Sequence, residues 1–113
     1  MIGNGSWLLL SCILVFGCNG YPGKIEEATS KPATHIVQIR QMKFEPSDLI
    51  VKKGDKVTFE NHDLVTHDIT EEKTKAWSSS QLEPGKSWSM TAEKTAAYYC
   101  SLHPVMKGSI KVE

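Results

Sequence analysis

The sequence predicts an all-β fold, a Greek-key β-sandwich or barrel of two sheets, and three observations predict it. From His35 onward apolar residues alternate with polar ones in short runs, Gly or Pro falls between the runs, and no helical period is present. A chain of 113 residues has room for one domain once its amino-terminal segment is set aside.

Taken in order, His35 to Phe44 reads as an extended run around Ile36, Val37 and Ile39. Glu45-Pro46-Ser47-Asp48 is a turn signal leading into Leu49-Ile50-Val51-Lys52, and Lys53-Gly54-Asp55 makes the next tight turn. Lys56 to Asn61 follows with Val57 and Phe59 facing inward, and a further strand is expected around His67-Asp68-Ile69-Thr70. After a Ser-rich stretch about Trp77 and a turn through Pro84-Gly85, Ser87 to Thr91 alternates again. Ala96 to Cys100 then runs into a loop through Pro104, and Gly108 to Glu113 is the last expected strand. Met42 and Met90 fall in expected strands and read as core filler. Trp77, Trp88, Tyr98 and Tyr99 read as core or sheet-face aromatics, and Lys73, Lys75 and Lys107 as solvated surface.

The amino-terminal segment has a different character. Its first charged side chain is Lys24, and Trp7 to Phe16 is an apolar stretch of ten residues. That is too short for a membrane-spanning helix, which needs roughly 20 residues, and it suits the h-region of an export signal. Val15-Phe16-Gly17-Cys18 then resembles a lipoprotein cleavage box, so residues 1–17 are expected to be a signal peptide and Cys18 an acylated residue holding the protein to a membrane. An ordinary signal cleaved nearby, leaving a soluble periplasmic protein, is the other reading. Residues 18–34, rich in Gly, Pro, Lys, Glu, Ser and Thr, read as a flexible tether, and residues 35–113 as the folded domain.

Lys plus Arg equals Asp plus Glu at 13 each, so no bulk charge draws the chain to nucleic acid, and partners must be recognised by a local patch. Cleavage before Cys18 leaves Cys100 as the only thiol of the mature chain, where it has no cysteine to pair with. Its neighbours supply a chemical reason for it: Cys100-Ser101-Leu102-His103-Pro104-Val105-Met106 repeats a thiolate, an imidazole and a thioether at every third position of one loop. A second imidazole must come from elsewhere, and His67, beside the expected Asp68-Ile69-Thr70 strand, is favoured over His62, while His35 lies too early. Two imidazoles and a thiolate with a weak axial thioether is the donor set of a blue-copper site, and structural zinc sites draw instead on several cysteines.

Over about residues 35–113 the chain resembles the plastocyanin, pseudoazurin and amicyanin family of cupredoxins. The resemblance rests on Phe44-x-Pro46, Lys53-Gly54-Asp55-x-Val57-x-Phe59-x-Asn61, His67 and the Cys100-x-x-His103-x-x-Met106 loop, whose two-residue gap between His and Met is closest to amicyanin. It implies one copper ion on His67, Cys100, His103 and Met106, and a monomer that passes single electrons between a donor and an acceptor protein in the bacterial cell envelope. The exit would be the edge of His103, in an apolar patch of Leu102, Pro104 and Val105. A periplasmic protein that sequesters or delivers copper is the alternative. An enzyme is not expected, since a second copper site would have only His35 and His62 to draw on. One departure is Asp68, where the family usually has Asn. That Asn ties the two ligand loops and its backbone amide donates to the thiolate sulfur; an ionised Asp68 keeps the amide but cannot donate from its side chain.

Overall fold

The computed structural model describes residues 31–113; the expected signal, the Cys18 anchor and most of the tether lie outside the described residues. Eight strands follow in order: β1 (Thr34–Arg40), β2 (Lys43–Glu45), β3 (Asp48–Val51), β4 (Lys56–Asn61), β5 (Thr70–Glu71), β6 (Ser87–Thr91), β7 (Ala96–Cys100) and β8 (His103–Val112). They form two four-stranded sheets, ordered β2-β1-β4-β6 and β3-β8-β7-β5. Each sheet contains one parallel pair, β1 with β4 and β3 with β8, and is otherwise antiparallel.

The alternation in the sequence is what builds the core. On β4, Val57, Phe59 and Asn61 are buried while Lys56, Thr58 and Glu60 are not, because successive side chains of a strand point to opposite faces. Val37, Ile39 and Phe59 from one sheet meet Tyr98, Cys100 and Ile110 from the other. The centre is aromatic: the Tyr98 ring stands edge-on to Phe44 at 4.9 Å and to Phe59 at 5.3 Å between centroids. Trp77 and Trp88 pack against this cluster from a partly buried position, as does Met90.

Three expectations change. The single run from His35 to Phe44 is a hairpin: Arg40 pairs with Lys43 across a two-residue turn, Gln41-Met42. Both turn residues have positive φ, 50° and 61°, as a primed turn requires, and the sequence conceals this because neither is Gly. Met42 is therefore on an exposed turn and is not core filler. The strand expected around His67 is reduced to Thr70–Glu71; His67 instead exchanges two backbone hydrogen bonds with Leu82, of 3.1 and 2.7 Å. The last strand starts at His103, five residues before Gly108, and it is irregular. Tyr99 faces Lys107 but Cys100 faces His103, so Pro104, Val105 and Met106 have no opposite residue on β7 and must bulge.

At the far end of the sandwich Asp55 fastens the entry of β1. Its carboxylate accepts the amides of Ala33 and Lys52, each at 3.0 Å, and lies 2.8 Å from His35 Nε2. The His35 ring, then the Lys52 amide, hold the Asp55 carboxyl below its ordinary value of 3.8 against the opposing effect of burial. A depressed folded-state pKa stabilises above the unfolded value and is lost below it. Stability should thus fall as pH drops beneath about 4, and Asp55→Asn should flatten that acid limb in denaturant titrations run at several pH values. A second expectation concerns Gly108, which faces Tyr98 across β7 and β8. A Cβ there would overlap the Tyr98 ring, so Gly108→Ala should cost about 1–3 kcal/mol in chemical denaturation.

Candidate metal centre

Three loops meet at the end of the sandwich opposite Asp55. The segment from His62 to Ile69 crosses from β4 in one sheet to β5 in the other and carries His67. The turn from β7 to β8 carries Cys100 and His103, and the β1–β2 turn closes the third side. Asn61 holds the crossing segment in place: buried, it donates from Nδ2 to the carbonyls of Val65 and Leu82, both at 2.9 Å, and accepts the Asp63 amide at 2.9 Å.

This architecture brings three of the four sequence-predicted residues to one point. Cys100 Sγ lies 3.8 Å from His67 Nδ1 and 3.7 Å from His103 Nδ1, and the three donor atoms fall within 4.8 Å of one another. His67 and Cys100 are fully buried and His103 is half-buried. Among the described residues this is the only such cluster of His, Cys or carboxylate groups. Met106 is buried at the end of the β8 bulge, three residues beyond His103. A soft thiolate with two imidazoles converging in a dry pocket fits a copper ion by the chemistry of its donors.

His62 and His35 do not join them. His62 Nε2 lies 3.1 Å from Glu60 on the surface, and His35 pairs with Asp55 at the other end of the sandwich.

Asp68 binds the two ligand loops to each other. Its backbone N–H donates to Cys100 Sγ at 3.3 Å, as the resemblance implies. Its buried carboxylate accepts the Ser101 amide at 2.7 Å, the Ser101 hydroxyl, and the Thr70 hydroxyl at 3.1 Å. The missing Asn donor is thus answered from the other loop: Ser101 donates twice, and Asp68 need only accept.

Asp63, which the sequence reading passed over, touches the other side of His67. Its Oδ2 lies 2.8 Å from His67 Nε2, and the carboxylate accepts the amides of Gln41 at 2.6 Å and Met42 at 3.0 Å. Burial raises the Asp63 carboxyl, but the Met42 amide, the His67 ring and the Gln41 amide outweigh it and hold the group below the ordinary carboxylate range. The signal available in the sequence was an acid four residues before His67.

The rim of the site is apolar. Leu102 and Val105 are exposed, as expected, and the crossing loop adds Leu64, 95% exposed, and Val65. On the adjacent flank Lys75 and Lys107 are exposed, as expected, with Lys75 Nζ 4.5 Å above the Tyr99 ring and Lys107 beside Glu72.

Comparison with known proteins points the same way. The family of copper binding proteins, plastocyanin/azurin family, matches residues 33–113. Amicyanin of Paracoccus denitrificans is 30% identical over 121 residues, covering 93% of this chain and 92% of that protein. The Cu(I) form of an amicyanin variant superimposes with a TM-score of 0.67 at 29% identity, covering 76% of this chain and 88% of the other. A copper-containing nitrite reductase of Thermus scotoductus aligns with a TM-score of 0.64 at 29% identity, over 73% of this chain but only 22% of the enzyme.

Replacing Asp68 by Asn separates charge from connectivity, since an amide can still accept from Ser101 N–H and donate to its hydroxyl. Loss of the negative charge should favour Cu(I), so Asp68→Asn should raise the reduction potential in voltammetry. A tenfold change in preference between the two oxidation states corresponds to about 59 mV, and a rise of that order is expected; an unchanged or lower potential contradicts the electrostatic role.

Proposed function

Because the chain belongs to the plastocyanin/azurin family of copper binding proteins, we propose that His67, Cys100, His103 and Met106 hold one copper ion with which it carries single electrons between redox proteins of the bacterial cell envelope. The observation that carries this reading is the convergence of His67 Nδ1, Cys100 Sγ and His103 Nδ1 within 4.8 Å, on two loops tied together by Asp68. When bound, copper supplies a one-electron Cu(I)/Cu(II) couple. The protein contributes rigidity: both loops are pinned by buried hydrogen bonds, so the donors are held in one arrangement whatever the charge between them. Burial of His67 and Cys100 keeps water from their donor atoms. Met106, buried on the β8 bulge, would supply a thioether as the weakest of the four donors.

His103 is the one half-buried member of the cluster, and the apolar rim of Leu64, Val65, Leu102 and Val105 gives a partner a small surface from which electrons reach that ring. Such a contact is transient, as redox encounters of small area are. Catalysis is not part of the proposal. A second metal site would need further histidines, and His35 and His62 are instead paired with Asp55 and Glu60, outside the one donor cluster among the described residues. Export by residues 1–17 and acylation of Cys18 would place a monomeric domain on a membrane at the end of its tether.

Copper loading tests the reading. The Cu(II) protein should show an intense blue thiolate-to-copper absorption band and reversible voltammetry, and Cys100→Ser should erase the band. A colourless protein that binds only Cu(I) would point instead to copper sequestration or delivery.

A further inference from the structure

The β1–β2 turn is strained without a glycine to relieve it. Gln41 and Met42 hold φ of 50° and 61°, a conformation that costs an ordinary residue roughly 1–2 kcal/mol each. Strain of this kind persists where something else holds it, and here the holder is visible. The two strained residues present their amides to one carboxylate, Asp63, at 2.6 and 3.0 Å. The same carboxylate meets His67 Nε2 at 2.8 Å, and its side chain is only 13% exposed.

A neutral imidazole carries one proton, on one of its two nitrogens. An ionised carboxylate only accepts, so Asp63 against Nε2 requires the proton to be there. Nδ1, 3.8 Å from Cys100 Sγ, is then left as a lone pair facing the other donors. We propose that Asp63 is a positioning residue for the metal centre, fixing the tautomer and ring plane of His67, and that the Gln41-Met42 turn belongs to the centre because its two amides fix Asp63. The proposal rests on His67 being a ligand. It adds a third loop to the site, one that contributes no donor atom. It also accounts for a turn that lacks the Asn-Gly chemistry its shape calls for: the amides of the turn are committed to the carboxylate.

The test begins with the metal-free full-length protein, labelled with nitrogen-15. Its His67 ring should appear in two-bond proton–nitrogen correlation spectra as the Nε2–H tautomer. In Asp63→Asn a single amide oxygen faces three N–H donors, so His67 should become a mixture of tautomers. Cu(II) affinity should drop about 10- to 100-fold. In hydrogen exchange the Gln41 and Met42 amides should be protected in the wild type and lose that protection in Asp63→Asn; equal exchange in the two proteins overturns the turn's part. An Nδ1–H tautomer in the metal-free wild type overturns the proposal without any variant, as does an Asp63→Asn protein with wild-type tautomer and affinity. If His67 is not a ligand, the wild type will fail to develop the blue band while its tautomer still reports on Asp63, so the two failures are distinct.

Discussion

The clamp between Asp68 and Ser101 is the constraint on which the metal centre depends. His67 lies on a segment that crosses between the sheets, and Cys100 and His103 lie on a turn within one of them. The β5–β7 ladder, in which Thr70 faces Tyr99, sets those loops side by side but stops short of the donor side chains, so something further must fix them there. A buried carboxylate that accepts two bonds from Ser101, while its own amide donates to the cysteine sulfur, does so. Buried polar groups of this kind are costly unless every one is paired, so a loop that drifts loses several bonds at once. The cluster is therefore held in one geometry by the penalty of leaving it.

Around that clamp the site is layered. Asn61 closes the crossing loop on itself and on Leu82, Asp63 closes it on the β1–β2 turn, and the aromatic core beneath supports β7 from Tyr98 to Cys100. The apolar rim then sits on loops whose interiors are rigid. Such a surface offers a partner apolar contact without a conformational change in the centre behind it, which suits a short-lived encounter.

The bulge in β8 shows how a small irregularity in a sheet serves chemistry. A regular hairpin would place residues 103 and 106 on opposite faces, because successive side chains of a strand alternate. Three surplus residues, Pro104 to Met106, let His103 stand opposite Cys100 while Lys107 resumes the ladder opposite Tyr99. The same surplus exposes Val105 at the rim and turns Met106 inward.

Much of this was legible in the residues alone. Alternation along β1, β4 and β8 announced two sheets, because burial of one face selects apolar residues at every second position, and the Cys100, His103, Met106 spacing announced soft-metal chemistry, because few other uses bring those side chains together in one loop. The choice of His67 over His62 was readable from its rigid neighbours, although the neighbours that fix it are Leu82 and Asp63 and not the regular strand expected there. Hidden from the sequence were the Gln41-Met42 turn, the role of Ser101 in answering Asp68, and the carboxylate behind His67. Each depends on a hydrogen bond between residues distant along the chain or on a backbone shape that its residues do not advertise. Local pattern encodes which face of a strand is buried; only the folded chain decides which loops meet and which polar group satisfies which.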